Sequence, residues 1–100
     1  MASTPEARVK AAVKKILDAE GVYYFTPIGT QFGKSGVPDI ICCVMGLFLA
    51  IECKAGKGKT TALQERELSK IRTADGVAIV INEHNTDEVR ECVQALKDYR

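Results

Sequence analysis

From Asp39 to Lys54 the chain is apolar almost throughout and is broken once, by Gly46. The longest apolar run, Ile40 to Ile51, is too short to cross a membrane, so it has to be buried by doubling back on itself. Asp39–Met45 is predicted to form a buried strand, Gly46 a tight turn and Leu47–Lys54 the returning strand. The rest of the chain has to cover this hairpin.

The covering elements are legible on either side. Thr4-Pro5-Glu6 is a helix start, a capping hydroxyl followed by proline at the first helical position. Val9, Val13, Ile16 and Leu17 repeat at helical spacing, and Gly21 ends the helix. Val22–Phe25 is predicted as a strand, with Tyr23, Tyr24 and Phe25 serving core and interface. Residues Gly29–Gly36 form a polar loop with three glycines, and Ala55–Thr61 a loop of glycine and lysine. Thr61 caps a helix running to about Thr73, with Leu68 and Ile71 inward and Gly76 as its end. Val77–Ile81 is a strand. Asn85 or Thr86 caps a last helix with Val89, Val93 and Leu96 on one face. The order αβββαβα predicts an α/β fold, a mixed sheet flanked by helices.

One hundred residues, 46% hydrophobic and 27% charged, suit one small domain, residues 1–100, that gains from pairing with a second copy. The first fifteen residues are charged and carry no signal-peptide core. Four cysteines without a Cys-x-x-Cys pair, beside a single histidine, argue against a closed zinc site. Cys42, Cys43 and Cys53 lie in apolar runs and read as small reduced hydrophobes, which points to the cytoplasm of a cell. His84 reads as a surface loop residue. Gly33-Lys34-Ser35 and Gly58-Lys59-Thr60 lack the glycine five positions upstream that a phosphate-binding loop requires.

Charged residues sit at the ends of the hairpin strands. Pro38-Asp39 opens the first strand and Glu52-Cys53-Lys54 closes the second. Side chains alternate along a strand, so Glu52 and Lys54 share one face, and the turn at Gly46 returns them to the level of Asp39. By itself Glu52-x-Lys54 fits a simple ion pair equally well. Two close carboxylates, however, repel unless a cation lies between them. Oxygen ligands suit a hard ion such as Mg²⁺, and metal plus lysine suit a phosphodiester under attack by water.

Gly36-x-Pro38-Asp39, the apolar strand, Glu52-x-Lys54 and Gln64 in the next helix together resemble the PD-(D/E)XK nuclease superfamily, and within it the VRR-NUC domains. The match runs from the first helix to Ile81. The resemblance implies a restriction-endonuclease-like core and a metal-dependent endodeoxyribonuclease. Asp39 and Glu52 would bind Mg²⁺ or Mn²⁺, with the Cys53 carbonyl as a further ligand. Lys54 would orient the attacking water or stabilise charge on the phosphate, and Gln64 would hold the water or a phosphate oxygen. Glu6 matches a first-helix glutamate that assists the metal, although at that position it also complements the helix dipole. Stand-alone relatives of this type, typical of phages and prophages, imply a homodimer acting on branched DNA such as Holliday junctions, in a bacterial or phage-infected cell.

Several surface residues suit the same substrate. Lys34 and Ser35 ahead of Asp39 can meet phosphate oxygens, and Lys57 and Lys59 can track a DNA backbone. Each also fits a solvated loop, just as Gln64 fits a plain helix surface. The alternative to an enzyme is a non-catalytic DNA-binding module that keeps the nuclease fold.

Overall fold

The computed structural model describes residues 4–28 and 33–100. Its elements are α1 (Pro5–Ala19), β1 (Tyr23–Phe25), β2 (Ile40–Val44), β3 (Leu47–Cys53), α2 (Ala62–Thr73), β4 (Val77–Ile81) and α3 (Asp87–Tyr99). The order αβββαβα is therefore the one the sequence predicts. The first part of the predicted Gly29–Gly36 loop, residues 29–32, lies outside the described residues.

The four strands form one sheet in the order β1-β2-β3-β4. β1–β2 and β2–β3 are antiparallel, whereas β3–β4 is parallel and is joined through α2. The sheet is thus mixed. The β2–β3 turn uses Met45 and Gly46, both at positive φ (52° and 83°), the backbone twist that a two-residue hairpin needs.

Residue alternation splits the buried side chains between two faces. Ile40, Cys42 and Val44 of β2 and Leu49, Ile51 and Cys53 of β3 meet Val9, Val13 and Leu17 of α1 and Val89 and Val93 of α3. This is the main core. On the other face Ala50 and Ala78 meet Leu68 of α2, with Ile41, Ile71 and Val80 around them. Small alanines let α2 approach closely over β4.

The helix starts follow the sequence. The Thr4 hydroxyl accepts from the Ala7 N–H at 3.0 Å, and Pro5 follows it. Thr61 caps α2 in a reciprocal arrangement with Gln64. α3 departs from expectation. Thr86 has helical backbone angles and makes no side-chain cap, and the Asn85 side-chain Oδ1 accepts from the Asn82 N–H at 2.6 Å instead. The Asn82–Asn85 turn takes the side chain that would have capped the helix.

Three expectations about burial are corrected. Cys43 is exposed, because α2 packs over β4 and reaches β2 on this side only as far as Ile41. Tyr23 and Phe25 are exposed for the same reason, at 72% and 50%, so neither is core. Only Tyr24, on the opposite side of β1, packs inward, and its hydroxyl donates to Asp18 at 2.8 Å. Among the described residues, no helix is long and apolar enough to cross a membrane.

Candidate active site

The β2–β3 register pairs Ile40 with Ile51. One step further it sets Asp39 opposite Glu52, at the end of the sheet where α1 and α2 both begin. Asp39 is held firmly there. Its Oδ2 accepts the Cys53 backbone N–H at 2.8 Å, and its Oδ1 lies 3.5 Å from Lys10 Nζ. Lys10 is a site neighbour that the sequence reading missed. The signal was present, since Lys10 lies one helical turn beyond Glu6.

Glu52 is 2% exposed, on the α2 face of β3 with Ala50. Its Oε2 lies 3.5 Å from Lys54 Nζ, and the Lys54 backbone N–H donates to the Ile81 carbonyl at 2.9 Å, which anchors the strand end. Its Oε1 is buried and has no hydrogen-bond partner. A buried carboxylate with an open oxygen is costly. Burial, and next the Asp39 charge, push the Glu52 carboxyl up to about 7, and Lys54 only partly offsets them.

The buried thiols of this strand pair favour the neutral form. Burial, reinforced by Asp39 and Glu52, pushes the Cys53 thiol up to about 12, and burial does the same to Cys42. What Cys53 brings to the site is backbone: its N–H fixes Asp39, and its carbonyl follows between Glu52 and Lys54.

Glu6 is half-buried in the first turn of α1, and its charge is one of those felt at the Cys53 thiol. Among the described residues, no three side chains of His, Cys, Asp or Glu gather into a metal cage. The site therefore offers two carboxylates and backbone oxygen rather than a closed ligand set.

Gln64 is half-buried, and its Oε1 is committed to the Thr61 N–H at 2.9 Å, which leaves its NH₂ as the free end. The loop before Asp39 leans on this turn. Gly36 has φ +78°, and a Cβ there would lie 2.5 Å from the Leu63 carbonyl oxygen and 2.9 Å from the Gln64 nitrogen.

The basic residues divide. Lys34 is drawn into an ion pair with Glu67 Oε1 at 3.2 Å, while Ser35 is exposed beside it. Lys57 and Lys59 are exposed in the loop after Lys54. Both oxygens of Glu83 accept the Gly56 N–H, at 3.0 and 2.9 Å, and tie down the start of that loop. His84 is exposed, as expected.

No protein-family model matches the chain, and no curated protein matches its sequence.

Proposed function

We propose that this chain is a Mg²⁺- or Mn²⁺-dependent endodeoxyribonuclease, selective for branched DNA such as Holliday junctions and active as a homodimer. One observation carries the reading. Glu52 is buried with an unpartnered Oε1 and stands against Asp39, with Lys54 alongside. A purely structural ion pair would not set a second carboxylate against the first.

The donor set fits a hard divalent cation: Asp39, Glu52 and the Cys53 carbonyl, all oxygen. When bound, such an ion supplies Lewis acidity, makes water a nucleophile near neutral pH and offsets charge on the phosphate. The chain's own residues do the rest. The Cys53 N–H and Lys10 hold the Asp39 carboxylate at a fixed angle. Lys54 Nζ, held beside Glu52, donates to the attacking water or to a phosphate oxygen. The Gln64 NH₂ is the second donor. Lys57 and Lys59 meet the DNA backbone beyond the cut. Hydrolysis forms one bond from the water oxygen to phosphorus and breaks one from phosphorus to a sugar oxygen.

The test is cleavage of a labelled four-way junction beside the matched linear duplex, with Mg²⁺, Mn²⁺ or EDTA. Wild type is expected to cut the junction only with metal. Asp39→Ala and Lys54→Ala are expected to lose at least about a thousandfold in rate, on the order of 4 kcal/mol of barrier, while keeping the circular dichroism of the fold. Equal turnover in either variant removes the proposed site. Junction binding without cutting under any metal leaves the non-catalytic binding module.

A further inference from the structure

On the metal-dependent reading above, on which this rests, we infer that Lys10 competes with the divalent ion for one oxygen of Asp39, so that binding of the ion releases the Lys10 ammonium to a phosphate oxygen of the DNA. The two oxygens of Asp39 are not equivalent. Oδ2 accepts the Cys53 N–H at 2.8 Å, a bond made at the end of the sheet itself. Oδ1 is turned to α1, with Lys10 Nζ 3.5 Å away. Oδ1 is thus the oxygen better placed to receive an ion, and an ammonium already stands beside it.

Charge sharpens the competition. Asp39 and Glu52 bring two negative charges, and Lys10 and Lys54 bring two positive ones, each 3.5 Å from one of the carboxylates. The four groups together are neutral. A divalent ion added to all four leaves the cluster at a charge of about +2, partly out of water and with cations crowded on the same oxygens. Among the described residues no third carboxylate joins the pair in a metal cage that would balance this excess. The departure of one ammonium halves it.

Lys10 is the lysine free to leave. The Lys54 side chain is 13% exposed, and its backbone N–H is fixed on the Ile81 carbonyl at 2.9 Å. The Lys10 side chain is 33% exposed, and its flexible four-carbon stem lets the ammonium swing. Glu6 lies one helical turn earlier on the same side of α1, which keeps a released ammonium beside the site. α1 begins at the end of the sheet that carries Asp39 and Glu52, where the phosphodiester has to enter. The hold on Asp39 then falls to the Cys53 N–H alone. A lysine that neutralises the protein becomes one that neutralises DNA, so ion and DNA each strengthen the binding of the other.

Isothermal titration calorimetry of the full chain with Mg²⁺ or Mn²⁺, without DNA, reads the competition apart from any cutting. Lys10→Met keeps the length and loses the charge. It is expected to bind the ion about three- to tenfold more tightly than wild type, the worth of a part-exposed ion pair together with the repulsion it would leave. Lys10→Arg keeps the charge and is expected to bind the ion no more tightly than wild type. Thermal unfolding gives a second readout: the rise in Tm from EDTA to a fixed Mg²⁺ concentration is expected to be larger for Lys10→Met. Release to phosphate is read by junction binding in a Lys54→Ala background, where cutting is lost. There Lys10→Met is expected to weaken binding at least about threefold more in saturating Mg²⁺ than in EDTA. Ion affinity unchanged or weaker in Lys10→Met overturns the competition, and so does an equal gain in Lys10→Arg. A loss of junction binding that is the same in both conditions overturns the release to phosphate. A wild type that takes up neither ion removes the metal-dependent reading itself, and this inference with it.

Discussion

Along β3 the odd-numbered residues Leu49, Ile51 and Cys53 are fully buried and apolar beneath α1 and α3. The even-numbered residues on the other face run from Phe48, half exposed, through Ala50 to the buried charge of Glu52. One strand therefore serves two purposes. The α1/α3 face holds most of the large apolar side chains and carries the stability. The α2 face has a thin core of Ala50, Ala78 and Leu68, and it holds both buried carboxylates, Glu52 and Glu67. A small domain gains little from burying charge. Confining it to one face leaves the other free to pack without compromise.

That division can be broken by substitution. The largest effect is expected on the apolar face: Leu49→Ala should cost about 2–5 kcal/mol of stability, read by urea unfolding. Ile71→Ala, on the thinner face and only partly buried, should cost about half as much. Equal costs would mean that α2 contributes as much to the fold as α1 and α3 do.

The next effect has the opposite sign. The folded state raises the Glu52 carboxyl from the ordinary carboxylate range to about 7. Between those values the folded protein binds more protons than the unfolded chain, so stability falls as pH rises through this window and stays lower above it. Glu52→Gln removes that loss, less whatever the orphaned Lys54 gives back. In EDTA at pH 8 the variant is expected to be more stable than wild type by about 1–2 kcal/mol, a rise of several degrees in Tm. At pH 4 the advantage should vanish. A variant less stable than wild type at pH 8 would show Glu52 to be a structural partner of Lys54.

The smallest effect on stability belongs to the exposed lysines. Replacing Lys57 and Lys59 together by alanine should shift stability by less than about 0.5 kcal/mol. The slope of log K for DNA against log salt should shrink by about 2, and the loss of affinity should be greatest at low salt. An unchanged slope takes this loop out of the DNA footprint.

The periodic parts of the molecule were legible in the sequence. The Val9-Val13-Leu17 stripe, the Gly46 hairpin and the Thr61 cap follow from local rules and stand where those rules put them. The opposition of Asp39 and Glu52 was also legible, because a tight turn fixes register. What could not be read is what depends on which helix covers which strand. Cys43, Tyr23 and Phe25 satisfy every local test for burial and are exposed because α2 lies over β4. Lys34 and Glu67 lie far apart in sequence and meet only once the loop has folded over α2. Lys10 reaches Asp39 through the placement of α1, which no pattern within α1 specifies.

The contact at Gly36 sets a boundary for redesign. With the Leu63 carbonyl where a side chain would begin, this residue is a gauge between the loop and the start of α2. A library randomised through the loop can vary the exposed Ser35 freely, whereas Lys34 is tied to the buried Glu67 carboxylate. At position 36 it will return glycine alone, because a side chain there would meet the Leu63 carbonyl and push the loop that leads to Asp39 off the start of α2.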